Sequence, residues 1–487
     1  MRDQLLRLAK GTAIYGIGGL LTRVISFFLL PLFTAYLTPA DYGISSLLGM
    51  MSFMLTPVFA LGFGTSIGIC YFDKPGEEGK AGTIWTSFLI LLLSSAVLVS
   101  LGTGFSAEIS VLLFQSDRHG YFVVLSILST CAGVLVLPFM LRLQFEERAK
   151  RFVALGTLSS LASASTSVYM VVVLNAGIRG FIEAQLIGQA VTLLLFASAS
   201  LGLEFRFSGA VGRALLKYGL PMVPSFASLF VLQQGNRYIL QYFKGIEAVG
   251  LYTVGYSIGM VMNLLVNAFT NAWTPYFLSF TGNQEEARLN FGRVATYYTF
   301  GLGTVSLLFY VFGKPLILVM TKPPFHEAYK VIGLAATASF LTGMFSLFLP
   351  AVYFAREVKY VSIVQGAAAV GALLINIALI PLLGIVGAGV SLVLGTLLMI
   401  LLMHAWNRRR GSVYLDIAYE WNRILAYSLA YVVCAGLMSV KRTFTVAQEL
   451  GLSAVVAVAL VLGVYYLLNE PERKALGRYL TTAGQGG

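Results

Sequence analysis

The chain has 487 residues, of which 57% are hydrophobic and only 11% are charged, and its formal net charge is +12. A soluble globular domain carries about 25% charged residues, so this composition excludes an ordinary water-soluble protein. The long apolar runs lack the alternation of barrel strands, so they predict an all-α polytopic membrane protein. In such a protein an excess of lysine and arginine is typical of cytoplasmic loops. The positive net charge therefore does not indicate nucleic acid binding, and we predict no nucleic acid partner.

Fourteen apolar segments are long enough to cross a bilayer core of about 30 Å. In chain order they cover residues 12–36, 42–72, 83–106, 120–142, 152–174, 180–203, 217–243, 247–278, 294–320, 329–354, 360–381, 385–406, 418–440 and 450–468. The loops between them are too short for a folded catalytic domain. The sequence carries no nucleotide-binding, zinc-protease or serine-hydrolase motif, so we predict no enzyme, no metal site and no cofactor.

The basic residues of the loops predict the orientation of the chain. With fourteen spans, the two termini lie on one side together with the basic segments 142–151, 407–411 and 472–478. Most of the 33 lysines and arginines fall on this side. The positive-inside rule therefore predicts a multi-pass protein of the cytoplasmic (inner) membrane with both termini in the cytoplasm.

A weak internal repeat predicts two similar halves. The motifs YGIGG (15–19) and ADYG (40–43) flank the first long span, and YGLP (218–221) and EAVG (247–250) flank the seventh. Six spans separate the copies, so the halves should be parallel repeats, an architecture of secondary transporters. The predicted domains are a six-helix lobe over 1–208, a second six-helix lobe over 209–411, and two additional helices with a cytoplasmic tail over 412–487.

Arg23 lies near the middle of the first span. A central arginine costs about 2.5–3.5 kcal/mol on insertion scales, so its presence calls for a reason. One reading is a cation that faces a cavity and binds an anionic ligand, because guanidinium fits phosphate oxygens. The other is an internal pair with a buried carboxylate or carbonyl groups. The spans contain few acids, which favours the ligand.

A second polar group surrounds Arg237 in the seventh span. Gln233, Gln234 and Asn236 precede it within one helical turn, and Gln233 shares its face with Arg237. Amides and guanidinium together suit sugar hydroxyls and phosphates. The alternative is that Arg237 extends to the membrane surface.

Further polar residues lie in the eighth and sixth spans and in one turn. Asn263, Asn267 and Asn271 follow at four-residue spacing, so they form a stripe that lines a cavity or bonds a neighbouring helix. Glu183 follows Arg179 by four residues, which favours a local ion pair over a coupling-proton site. Asp41 is expected to cap the helix that it begins.

Three stretches resemble the Wzx-type oligosaccharide flippases, which are polysaccharide-biosynthesis members of the multidrug/oligosaccharidyl-lipid/polysaccharide exporter superfamily. They are GTAIYGIGGLLTRVISFFLLPLFTAYLTPADYGISSL (11–47), LKYGLPMVPSFASLFVLQQGNRYIL (216–240) and EAVGLYTVGYSIG (247–259). Relatives often carry Asp-Arg where this chain has Asn236-Arg237, so the acid of that pair is missing here.

The resemblance implies that an undecaprenyl-diphosphate-linked oligosaccharide crosses the cytoplasmic membrane by alternating access, for O-antigen or exopolysaccharide synthesis. The diphosphate would pass Arg23, and the polar stripe would meet the sugars. The implied partners are membrane lipid and a polysaccharide polymerase or glycosyltransferase; the coupling ion, H⁺ or Na⁺, is open. Alternatives are a flippase of the lipid II type, a drug or cation antiporter of the same superfamily, and a membrane polymerase or ligase.

Overall fold

The structure is a computed structural model that describes residues 24–25, 27–73, 76–280, 284–357, 359–409, 417–439 and 446–467. Within these ranges the chain forms helices and turns and contains no β-strand, which confirms the all-α prediction. The first nine helices are α1 (Phe27–Tyr36), α2 (Pro39–Phe59), α3 (Phe63–Asp73), α4 (Glu77–Gly104), α5 (Ser106–Phe114), α6 (Gly120–Phe145), α7 (Ala149–Val168), α8 (Gly177–Ser198) and α9 (Gly209–Gly219).

The remaining helices are α10 (Val223–Lys244), α11 (Ile246–Gly259), α12 (Met262–Leu278), α13 (Gln284–Met320), α14 (Tyr329–Ser346), α15 (Leu349–Phe354), α16 (Lys359–Arg409), α17 (Trp421–Ser439) and α18 (Val446–Leu467). Eight helical segments of the described chain are long and apolar enough to span a membrane, and the pair α11–α12, bent by 47°, makes a ninth. Each of the fourteen predicted segments overlaps a helix.

α16 contains two spans within one helical segment. Its 51 residues would extend about 76 Å at a rise of 1.5 Å per residue, more than twice a bilayer core. Gly384 breaks it with φ 58 and ψ −129, three residues after Pro381. The break falls between the spans predicted at 360–381 and 385–406.

The described residues form two compact units. Unit 1 covers Met1–Thr253 and Ile380–Gly384, and unit 2 covers Val254–Leu379 and Ile385–Gly487. Unit 1 therefore includes α9, α10 and the first half of α11, which the repeat assigns to the second lobe. The lobes at 1–208 and 209–411 and the segment 412–487 stay a prediction.

The core of unit 1 lies between α3, α4, α6 and α9. Phe63, Ile84, Phe139 and Leu215 are each at most 2% exposed there. Lipid tails are as apolar as these side chains, so helix association in a membrane depends on close packing.

The start of α2 crosses the start of α11 inside unit 1. A side chain on Gly43 would overlap the carbonyl oxygen of Ile246, and one on Gly250 would overlap the carbonyl oxygen of Pro39. The hydroxyl of Thr253 donates to Ser46 Oγ at 2.7 Å. Ile246, Gly250 and Thr253 each lie 207 positions after Pro39, Gly43 and Ser46, respectively. Gly43 meets the α11 equivalent of Pro39, Gly250 meets Pro39 itself, and Ser46 meets its own equivalent. The crossing is therefore reciprocal, as the internal repeat requires.

Thr38 and Asp41 form a capping box at the start of α2, next to this crossing. Asp41 N donates to Thr38 Oγ1 at 3.2 Å, and Thr38 N donates to Asp41 Oδ2 at 2.8 Å. This capping box satisfies two backbone donors at the helix start. It confirms the predicted capping role of Asp41.

In unit 2, α14 is the central helix. In the most apolar stretch of the segment Pro323–Phe354, 78% of the residues are buried. Small residues such as Ala335, Ala336 and Ala338 allow its neighbours to approach closely. Trp273 on α12 donates from Nε1 to the carbonyl oxygen of Ser346 at 3.0 Å.

The two helices beyond the predicted lobes pack on α13. On α17, Tyr427 hydrogen-bonds Thr304 at 2.9 Å, and Tyr431 hydrogen-bonds Ser306 at 2.8 Å. These buried hydroxyls connect α17 to α13 at membrane depth.

An ion pair and a hydrogen bond connect α18 to the same helix. Lys314 Nζ lies 2.5 Å from Glu449 Oε1, and the Glu449 side chain is 4% exposed. Ser453 Oγ donates to the carbonyl oxygen of Val311 at 2.7 Å. Both C-terminal helices are therefore integral to unit 2.

Candidate functional site

Arg23, the first site residue predicted from the sequence, lies outside the described residues. The described chain begins at Val24. The role of Arg23 stays a prediction, and the structure bears on the other candidate residues.

The polar turn of α10 lies in unit 1 and divides between two environments. Asn236 is 3% exposed, and its Nδ2 donates to the hydroxyl oxygen of Tyr252 on α11 at 2.5 Å. Arg237 and Gln234 are half-buried, whereas Gln233 is exposed. α10 therefore presents a guanidinium and an amide toward its surroundings and uses a second amide to bind α11.

Three buried amide oxygens on α10 have no hydrogen-bond donor among the described residues: those of Gln234, Asn236 and Gln241. Their helix includes Arg237. A buried polar atom without a partner costs about 1–3 kcal/mol. Such atoms mark positions where water or a ligand supplies the donor. α10 thus carries three amide oxygens that can still accept hydrogen bonds.

The asparagine stripe lies on α12 in unit 2. A different face of α12 packs inward through Met262, Val266 and Trp273. Asn263 is half-buried and donates from Nδ2 to Met260 Sδ at 3.5 Å, whereas Asn267 is exposed.

Asn271 is exposed in the same way as Asn267. In the part of the chain that the structure describes, no side-chain hydrogen bond connects either residue to another helix. This exposure favours the reading in which the stripe lines a polar cavity over the reading in which it bonds a neighbouring helix.

Arg179 and Glu183 form the predicted local ion pair at the start of α8. The distance from Arg179 Nε to Glu183 Oε1 is 2.7 Å, and the Arg179 side chain is 68% exposed. Tyr121 donates to the same carboxylate oxygen at 2.7 Å. The carboxylate is thus held by two donors on the surface of unit 1.

A cavity of about 600 Å³ lies within unit 2, between α13, α14, the second half of α16 and α17. Most of its lining is apolar, and His404 and Arg408 lie at one end. The sequence does not reveal this cavity, because four helices that are distant along the chain contribute to it. Among the described residues no cluster of three or more histidine, cysteine or acidic side chains could hold a metal ion.

The polar α10 turn and the crossing of α2 with α11 fall within one region of sequence similarity. Residues 8–281 match the family model described as polysaccharide biosynthesis protein. The chain belongs to the polysaccharide biosynthesis protein family. The match includes Arg23, Arg237 and the asparagine stripe. No curated protein is significantly similar to the chain.

Solved structures share the fold of this polysaccharide biosynthesis protein. A structure of the lipid II flippase MurJ in an inward-closed conformation superposes with a TM-score of 0.73 at 14% identity, over 93% of this chain and 99% of that one. An inward-facing multidrug resistance MATE transporter of the MOP superfamily superposes with a TM-score of 0.65 at 16% identity, over 84% of this chain and 96% of that one.

A MOP superfamily transporter from Pyrococcus furiosus, described as having a binding pocket of reverse polarity, gives a TM-score of 0.55 at 14% identity, over 83% of this chain and 95% of that one. At these identities the likeness concerns the fold alone. The fold of this chain is therefore the one that these membrane transporters adopt.

Proposed function

We propose that this protein moves a polyprenyl-diphosphate-linked oligosaccharide across the cytoplasmic membrane by alternating access, for the synthesis of a cell-surface polysaccharide. The chain would translocate this lipid without an enzymatic step. Membership of the polysaccharide biosynthesis family supports the substrate class. The fold shared with MOP transporters supports the mode of movement.

The polar turn of α10 carries the proposal. Hydroxyl groups of a sugar would donate to the buried amide oxygens of Gln234 and Asn236, which lack a donor among the described residues. The guanidinium of Arg237 would donate to a phosphate oxygen, and Arg23 would do the same at mid-membrane. These cations offset part of the cost of bringing phosphate charge into a low dielectric.

The reciprocal crossing of α2 and α11 supports alternating access. A rocking motion of two similar halves exposes a site first to one side of the membrane and then to the other. The crossing joins equivalent positions of the two repeats, so such a motion would separate them there. Residue 236 is an asparagine and not an acid. Coupling of transport to H⁺ or Na⁺ would therefore depend on other residues.

The test is the accumulation of lipid-linked oligosaccharide in a strain that lacks this protein. We expect precursor to collect on the inner face, and wild-type protein to restore export. Arg237→Ala and Arg23→Ala should each lower export at least tenfold at equal expression, because each removes a phosphate contact. Arg118→Ala is the control, since this arginine is exposed in the turn before α6.

Two outcomes would contradict the proposal. Full export by both the Arg23→Ala and Arg237→Ala variants would exclude this site. Accumulation of lipid II in place of the oligosaccharide precursor would assign the chain to peptidoglycan precursor transport.

A further inference from the structure

The cavity of unit 2 has an apolar trough and a basic end. Along α16 its lining includes Leu397, Leu401, His404 and Arg408, which repeat at spacings of three or four residues and so share one helix face. From Val393 to Arg408 this face extends about 22 Å at 1.5 Å per residue. That length exceeds the hydrocarbon depth of one leaflet, about 15 Å.

The trough is open along one side to apolar surroundings. Leu401 is 55% exposed, Leu425 is 60% exposed and Val432 is 66% exposed, and all three line the cavity. Exposed apolar residues of a membrane-spanning helix contact lipid. A hydrocarbon chain could therefore enter the trough sideways.

The two tyrosine hydroxyl groups that line the trough already have hydrogen-bond partners. Tyr431 bonds Thr337 at 2.7 Å and Ser306 at 2.8 Å, and Tyr427 bonds Thr304 at 2.9 Å. A ligand in the trough therefore meets mainly ring faces and aliphatic side chains. This lining suits an acyl chain.

The basic end lies where an interface is expected. Trp421 lines it, and its ring centroid lies 5.1 Å from that of His404. Tryptophan is enriched at the level of lipid headgroups. Arg408 is exposed and is the one charged side chain of the described lining, in which no acid occurs.

We propose that this cavity binds an anionic phospholipid, with one acyl chain in the trough and the headgroup phosphate at Arg408. Basic pockets between membrane helices bind anionic lipid headgroups in general. A lipid with a cationic headgroup amine would find no carboxylate in the lining to pair with it. The bound lipid would fill the space between α16 and α17, so it would be a structural ligand distinct from the transported glycolipid.

The test uses the full chain in nanodiscs of phosphatidylcholine that contain a low fraction of phosphatidylglycerol. Native mass spectrometry after release counts the lipids that remain on the protein. We expect one retained phosphatidylglycerol on the wild type and roughly tenfold weaker retention on Arg408→Gln, because a hydrogen bond to a charged group is lost. Arg409→Gln, the adjacent exposed arginine outside the lining, is the control and should retain lipid within twofold.

A second variant tests the trough independently of charge. Ser428→Phe places a ring in the cavity and should lower retention without removing the cation. Equal retention of phosphatidylcholine and phosphatidylglycerol by the wild type, or unchanged retention by both variants, would overturn the proposal. Stoichiometric displacement of phosphatidylglycerol by undecaprenyl diphosphate would also overturn it, since the cavity would then belong to the transported substrate. Export of glycan by the same variants reports separately on the transport function.

Discussion

At the residue scale, some charged side chains of this protein form pairs that hold helices together, and others are proposed to bind the substrate. Lys314 and Glu449 belong to the first kind. Their ion pair attaches α18 to α13, and the Glu449 carboxylate is nearly inaccessible to solvent. Under the proposed function, Arg237 belongs to the second kind. The distinction follows from the partners of each side chain, which the sequence does not show.

Removal of the Glu449 carboxylate should destabilise the protein. Glu449→Gln leaves the Lys314 ammonium in a half-buried position without its anion, and breaking a buried pair in this way costs about 3–5 kcal/mol. Thermal unfolding in detergent measures the loss. Glu327→Gln is the control, since the pair of Glu327 with Lys330 is exposed and should contribute at most about 1 kcal/mol. Equal effects of the two variants would contradict a structural role for the Lys314 pair.

Substitutions at Asn236 separate packing from polar contact. Asn236→Asp should retain export, because a carboxylate accepts a hydrogen bond from the Tyr252 hydroxyl and pairs with Arg237. Asn236→Leu has the same branched shape and no polar atom, so it should lower export at least tenfold. Export of glycan at matched protein levels measures both. The expectation fails if the leucine variant exports as well as the wild type.

At the element scale, the crossing of α2 and α11 is where the two predicted repeats meet within unit 1. If the predicted lobes rock during transport, these helix starts must separate. Gly43 and Gly250 allow the backbones to touch, and the bond from Thr253 to Ser46 adds one polar contact. The crossing thus combines close packing with few interactions to break.

A disulfide across this crossing should arrest transport. In a background without the three native cysteines, Ser46→Cys with Thr253→Cys should form the bond and abolish export until a reductant is added. Ser52→Cys with Thr130→Cys is the matched control, because its hydroxyls are 2.8 Å apart on α2 and α6 of the first predicted lobe. Equal loss of export in the control would show that cross-linking itself is harmful.

A larger side chain at the crossing should also be harmful. Gly43→Leu would push α2 away from α11, and we expect a loss of about 1–3 kcal/mol from overpacking. Gly49→Leu lies on the same helix with open space around it and should be tolerated. The yield of monodisperse protein and its unfolding temperature distinguish the two. Similar behaviour of both variants would argue against a tight crossing.

At the scale of the whole molecule, the helical architecture could be predicted because hydropathy is a local property of the chain. The fourteen apolar segments were enough to predict the helices. The break at Gly384 falls between two of the predicted spans. The cavity of unit 2 could not be predicted in the same way, since residues from Thr299 to Val432 form it together. Likewise, the burial of Asn236 depends on Tyr252, which lies on another helix.

The orientation of the whole molecule can be tested by labelling. Arg409→Cys, at the exposed end of α16, should react with an impermeant thiol reagent from the cytoplasmic side alone. Arg118→Cys should react from the opposite side alone, because an odd number of predicted spans separates the two positions. The native cysteines are replaced first, since Cys434 is only half-buried. Labelling of both positions from one side would overturn the predicted topology.

The reciprocal crossing also bears on the ancestry of the chain. An interface in which one patch contacts its own copy is the kind that two identical subunits make around a twofold axis. A chain of half this length would already carry both sides of the contact, with a glycine and a carbonyl from each copy. The same crossing could thus have held two separate half-length proteins together before a gene duplication joined them.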